Sequence, residues 1–403
     1  MAMSRRELMA VGLTGFAMAY MNASQDRLLA AVTGAAQKYW VYTGGYNARG
    51  GRGICLFDFD AQTGVMEDRG VVAETPQPSF LAVDRQITRL FAVNEVSQFA
   101  GQRSGSVSSF RIDRATGKLA AVNVQPSGGQ GPCHLCVDAG GVNVLVANYG
   151  SGSVASLPVE KDGTLKPPSS VIQHAGKGPN AQRQSGPHAH GVYFDPSGKF
   201  VLAPDLGLDK IMIYPFDPAA GKLAAENAPF GEVVPGSGPR HLAFSKDGRF
   251  VYVLSEMKST VTVFEWTPGA RPSMQSAQTV SLLPANFKGN STAAEIFLRP
   301  DGKFLYGSNR GHDSIVTFTV DQQIGQLTKG PDLPWDGGEN NPTGGKTPRS
   351  FAIDPTGRWL LAANQDSDSL VLFKIDARTG AISPADKTFK VPSPTCVLFV
   401  PKA

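Results

Sequence analysis

Pro78, Pro132, Ala189, Pro239, Ala293 and Pro348 each open a short apolar segment, and they follow one another at intervals of 50 to 57 residues. A fixed period of this size means that one supersecondary unit is used repeatedly, which constrains the fold more than any single motif can. Residues 238–256 display the first half of the unit. A strand holding His241, Leu242, Ala243 and Phe244 leads into a Lys246-Asp247-Gly248 turn, and Phe250-Val251-Tyr252-Val253-Leu254 returns to end on Ser255-Glu256. Asp and Gly accept the backbone angles of a tight turn, while β-branched and aromatic residues favour strands. A third strand follows in each unit, such as 261–266 or 315–321, and then often a Thr-Gly-Lys-Leu or Asp-Gly-Thr-Leu turn into a weaker fourth strand. Four strands at this spacing predict a β-propeller blade.

The two ends of the chain count the blades. Residues 393–400 match only the first strand of a unit, and then the chain stops. Residues 39–45 and 54–60 match a second and third strand without a first. The termini are therefore expected to share a blade, which closes the ring without an exposed sheet edge. Six complete units and this composite predict an all-β, seven-bladed propeller across residues 37–401.

Ahead of it, residues 1–31 read as a targeting segment. Arg5-Arg6 precedes a mildly apolar run over residues 8–21, too short to span a membrane, in the manner of a bacterial twin-arginine export signal. The expected location is the periplasm, with no membrane attachment once the segment is cleaved. A formal charge of +4 with no Lys/Arg block argues against a nucleic-acid partner. The four cysteines are too few for a disulfide scaffold.

The motifs Gly238-Pro239-Arg240-His241, Ala293-Ala294-Glu295-Ile296, Pro300-Asp301-Gly302-Lys303 and Pro348-Arg349-Ser350-Phe351 resemble those of the lactonase family of seven-bladed propellers. That family contains propeller-type 6-phosphogluconolactonases and the fungal carboxymuconate-lactonising enzymes. The resemblance covers roughly residues 37–401, and it implies an enzyme acting as a monomer on a small-molecule lactone. Two other readings remain: a lactonising cycloisomerase, and a non-catalytic ring that binds a ligand or protein.

A hairpin brings its two ends together, so the residues after each unit's opening and those closing each second strand are expected to ring one mouth of the central channel. The resemblance places functional positions at His190, Arg240, Glu256 and Arg310, with Arg349 and Gln365 at further recurring positions. Lactone hydrolysis needs a base for water, donors for an oxyanion and a cation for an acidic substrate. Glu256 is the expected base, held near Arg240 by the hairpin. His190 is the competing base and the acid for the leaving oxygen. Arg310 and Arg349 suit a carboxylate or phosphate, while His241, Glu295 and Gln365 are expected to assist binding. No cofactor is implied. His188-Ala189-His190 has a spacing that metals use, but no third ligand lies nearby, so no metal is expected. Cys133 and Cys136 have redox-motif spacing on an expected inner strand, away from any helix N-terminus. A serine-nucleophile elbow is missing.

Overall fold

The computed structural model describes residues 37–47, 50–51, 53–330 and 341–402; the expected leader lies outside them. They form seven antiparallel sheets, one for each unit, arranged as a propeller. The fourth blade shows the plan: Pro239–Phe244, Phe250–Ser255, Thr260–Thr267 and Ser273–Ser281 pair side by side in chain order. Counting from Phe80–Val83 as the first, the blades begin with Pro132–Val137, Tyr193–Phe194, Pro239–Phe244, Thr292–Leu298 and Pro348–Ile353. The seventh is the composite expected from the two ends. Pro394–Pro401 pairs with Lys38–Gly45, placing Tyr42 opposite Leu398, and the sheet continues through Gly53–Asp60 to Val65–Glu74.

Apolar burial holds the ring together at the seams between blades. Seven hydrophobic clusters each combine residues of two neighbouring blades. At one seam Leu202 and Ile213 of the third blade meet Val251, Val253 and Trp266 of the fourth. The seam between first and last blades has the same character, with Leu81 and Phe110 packed against Tyr42, Leu56 and Leu398. Each such side chain contributes about 1.5–3 kcal/mol when fully buried, so neighbouring blades stabilise one another through these seams.

The turn between first and second strands is fixed one step earlier than the Asp-Gly pattern suggests. Asp138 Oδ1 accepts the amides of Val142 and Asn143, Asp195 those of Lys199 and Phe200, and Asp354 those of Arg358 and Trp359. In the fourth blade Ser245 Oγ takes this part, accepting from Phe250 at 2.9 Å. Gly248, at φ 77°, supplies the left-handed residue that the turn still needs.

Two irregularities shape the channel. Register shifts fall at Pro132/His134, Pro239/His241, Ala293/Ile296 and Pro348/Ser350, so Cys133, Arg240, Ala294-Glu295 and Arg349 sit in bulges of the inner strands. A bulge inserts an unpaired residue and re-aims its side chain. In the third blade the inner strand keeps only Tyr193–Phe194. Facing it, Pro204 has no amide to donate, although its carbonyl accepts from His190 at 2.9 Å. The Val192 amide leaves the ladder and donates to His134 Nδ1 at 3.3 Å.

Candidate active site

The bulges sort the axial side chains into two layers rather than the single mouth expected from the columns. The upper layer bounds a cavity of about 290 Å³. Cys133 and Arg349 reach it from inner strands, His190 from the irregular segment just before Tyr193–Phe194, and Glu95, Tyr149, Glu256 and Arg310 from the ends of second strands. Thr292 and Arg183 complete the wall.

Glu256 is the electrostatic centre. Its Oε2 lies 2.9 Å from Arg310 Nη2 and 3.2 Å from Arg240 Nε, while Oε1 accepts from Arg183 Nη2 at 2.7 Å. Burial by itself would raise this carboxyl, but Arg310, Arg240 and Arg183 outweigh burial and hold it at about 2. His190 Nε2 stands 3.9 Å from Glu256 Oε2. Burial and then the charge of Arg240 push this imidazole well below its usual range, so it is neutral at pH 7. Arg240 is tied in turn to the Ala294 carbonyl, to which its Nη1 donates.

Arg349 is differently placed. Its guanidinium lies over the Tyr46 ring at 5.3 Å, and Tyr46 donates to Glu95 Oε2 at 3.0 Å. Burial opposes its charge, yet Tyr46, Glu95 and Glu256 prevail and keep it fully protonated. Among the described residues the guanidinium has no hydrogen-bond partner, leaving its donors for a ligand.

Beneath lies the second layer, built from one residue of each blade: Phe80, His134, Tyr193, His241, Glu295, Ser350 and, in the last, Cys396. Its rings pack closely, with centroids 4.2 Å apart for Phe80 and His134 and 4.6 Å for His134 and Tyr193. In the third blade, where the inner strand is short, Tyr193 takes this place. His241 Nδ1 lies 2.6 Å from Glu295 Oε1, which also accepts the Ile296 amide. Burial pushes Glu295 up to about 7 despite the opposing influence of Arg240, and burial keeps His241 neutral. Glu295 and His241, expected to touch substrate, lie off the cavity wall. So does Gln365, because its chain passes directly into the short 3-10 turn Gln365–Ser367 at the rim.

Two local patterns have structural explanations. His188 stacks on Tyr149 at 4.5 Å and places Nδ1 3.0 Å from the Tyr149 carbonyl, so it does not converge with His190. Cys133 and Cys136 are unpaired thiols that burial holds protonated. Arg183 and Thr292 escape sequence reasoning. Arg183 lies in an inter-blade connection that has no place in the period, and Thr292 precedes the column taken as the start of its unit.

Comparison with known proteins gives the geometry its relatives. Residues 40–399 match the family model described as lactonase, seven-bladed β-propeller. A 6-phosphogluconolactonase of Bacillus subtilis is 36% identical over 363 residues, covering 90% of this chain and 99% of the relative. A 6-phosphogluconolactonase of Formosa agariphila is 32% identical, covering 82% and 91% respectively. Among solved structures, the periplasmic gluconolactonase of Pseudomonas aeruginosa superposes with a TM-score of 0.82 at 36% identity, over 91% of this chain and all of that one.

Proposed function

The chain belongs to the seven-bladed β-propeller lactonase family, and from that premise we propose that it hydrolyses a sugar lactone in the upper cavity by general acid and base catalysis, without a metal. The observation that carries this reading is the pairing of a neutral His190 with a cationic wall. Arg183, Arg310 and Arg349 line the cavity and Arg240 reaches Glu256 from behind the wall, against Glu95 and Glu256 as the carboxylates of that lining.

His190 is the better base of the two expected. A carboxylate held at about 2 by three arginines has little affinity for the proton of water. The His190 imidazole is also lowered by burial, but it stands 3.9 Å from Glu256, whose charge stabilises the imidazolium as it forms. In this reading Nε2 takes a proton as water adds to the lactone carbonyl. The oxyanion that forms meets Arg349, whose donors need no partner to be broken first. Collapse of the tetrahedral adduct breaks the bond to the ring oxygen, which takes the proton back from His190 and leaves a hydroxy acid. Glu256 orients Arg240 and Arg310 and stabilises the transient imidazolium.

Rates of acid release from a panel of lactones test the assignment. His190→Gln should lower kcat by about a hundredfold to ten-thousandfold with a modest change in KM, as expected for loss of a general base. Full activity in that variant on every lactone would move the reaction away from His190. Absence of activity in the parent on the whole panel would favour a ligand-binding ring instead.

The Arg5-Arg6 leader and the periplasmic relative support export of the folded chain. Export would favour a non-phosphorylated aldonolactone or another acidic lactone over a phosphorylated sugar made in the cytoplasm. Replacing Arg5 and Arg6 with Lys should abolish periplasmic accumulation in a bacterial host; equal yields in the two compartments' fractions before and after the change would dismiss the leader.

A further inference from the structure

Arg183 owes nothing to the repeat, yet an ordered scaffold delivers it to the cavity. It lies in the connection between Ser170–Gln173 and Tyr193–Phe194. Gln184 is the buried hub of that loop. Its amide donates to Asn180 O at 2.7 Å, its carbonyl accepts from Gly178 at 3.0 Å, and its Nε2 donates to Leu206 O at 2.8 Å. Asn180 Oδ1 accepts the Arg183 amide at 3.1 Å. At the base of the loop His174 Nδ1 meets Asp205 Oδ2 at 2.6 Å, and Asp205 Oδ1 accepts the amides of His188 and Gly207. A residue held this firmly has its backbone ordered before any ligand arrives.

The partner that Arg183 finds is already supplied with cations. Glu256 carries one negative charge and faces three arginines within 3.2 Å. Arg240 and Arg310 are the deep pair, 3% and 15% exposed, whereas Arg183 is 41% exposed at the mouth. The surplus charge on Glu256 is thus carried by the most exposed of its three arginines. Arg183 uses only Nη2, bonding Glu256 and approaching Tyr149 Oη at 3.4 Å. Its Nε and Nη1 have no hydrogen-bond partner among the described residues. A guanidinium with open donors at the mouth of a cavity is suited to grip a carboxylate or phosphate.

We propose that Arg183 is a specificity-determining residue, which binds the anionic group of a charged lactone and sets the preference for charged over neutral substrates. The inference rests on the lactonase reading and adds the chemical class of substrate to it. Arg183 remains on Glu256 through Nη2 while its other donors take the substrate, so recognition leaves the Glu256 cluster intact.

The test uses the full chain and three probes: a neutral aldonolactone, an aldonolactone phosphorylated at its terminal hydroxyl, and a lactone bearing a free carboxylate. The quantity to read is the ratio of kcat/KM for each charged probe to that for the neutral one. Arg183→Gln should lower this ratio by about tenfold to a hundredfold, the cost of one charged hydrogen-bonding partner. Arg183→Lys, which keeps the charge and loses the planar fork, should fall between. The probe with the larger loss identifies phosphate or carboxylate as the group bound. A ratio unchanged within twofold in both variants would overturn the role of Arg183 and leave the lactonase reading standing. A parent chain that opens none of the three lactones would overturn both.

Discussion

Glu256 and Glu295 occupy neighbouring blades, both nearly inaccessible to solvent, yet they are driven in opposite directions. Burial is the largest influence on each and raises both. Glu256 falls to about 2 because three arginines converge on its oxygens. Glu295 rises to about 7 because its nearest neighbours are His241, a backbone amide and the Ser350 hydroxyl, and only Arg240 opposes burial with substantial charge. Depth does not decide the ionisation of a buried carboxyl here; the count of cations within reach does. The propeller produces both outcomes in one channel, an ionised layer around the cavity and a largely neutral layer beneath it.

The sharpest way to break this comparison is to remove each charge. Glu256→Ala leaves Arg240 and Arg310 without their counterion inside the ring, a change that costs about 3–5 kcal/mol in comparable buried pairs. Glu295→Gln should cost less than about 1 kcal/mol near pH 5, where the raised carboxyl is protonated, because an amide can replace it toward Ile296 and His241. Denaturant unfolding of the two variants reads the difference directly. Equal losses would mean that Glu295 is ionised and the contrast is false.

Acid titration of stability separates the two groups more finely. Glu256 has a folded pKa depressed below its unfolded value of about 4.5, so its contribution is present above pH 4.5 and is lost as pH falls towards 2. Glu295 has a raised one, so its contribution is present below pH 4.5 and is lost as pH rises through 7. Each window is worth on the order of 3 kcal/mol. In the upper window the buried His134, His190 and His241 work against Glu295, because their lowered pKa values cost stability as pH falls below about 6.5. The Glu295 window is therefore read as the difference between the parent and Glu295→Gln in unfolding midpoints from pH 3 to 8. The parent's advantage should shrink between pH 5 and 7, and the loss below pH 4 should be common to both. A difference that stays constant between pH 5 and 7 would show that Glu295 does not titrate there.

The period made the ring legible, since the lone first strand near residue 394 and the unit at residues 39–60 that lacks a first strand complete each other. Column logic also brought His190, Arg240, Glu256, Arg310 and Arg349 towards one rim, where the structure has them close together, while the family resemblance marked them as functional positions. It could not find the two layers. Arg240 and His241 are adjacent in sequence, and only the bulge between Pro239 and His241 sends one to Glu256 and the other to Glu295. A bulge is a property of register, which depends on the partner strand as much as on the residue itself. Arg183 was out of reach for a different reason, since loop residues have no period to betray them.

Gln365 provides the gentlest test of the same idea, because it shares a column with Glu256 and Arg310 without sharing their surroundings. It follows the second strand of the sixth blade, Trp359–Asn364, and begins the turn Gln365–Ser367. Its amide donates to the Thr347 carbonyl at 2.9 Å, and its Nε2 lies 3.3 Å from Asp366 Oδ1, at an exposed rim. The backbone bond survives a change of side chain, and the bond to Asp366 is to an exposed neighbour. Gln365→Ala is therefore expected to alter stability by no more than about 0.5 kcal/mol and kcat/KM by less than about twofold. If that variant lost activity tenfold or more at unchanged stability, position in the repeat would matter more than the charges around it. The reading of Glu256 as a residue made by its arginines would then have to be replaced by one in which the column itself defines the site.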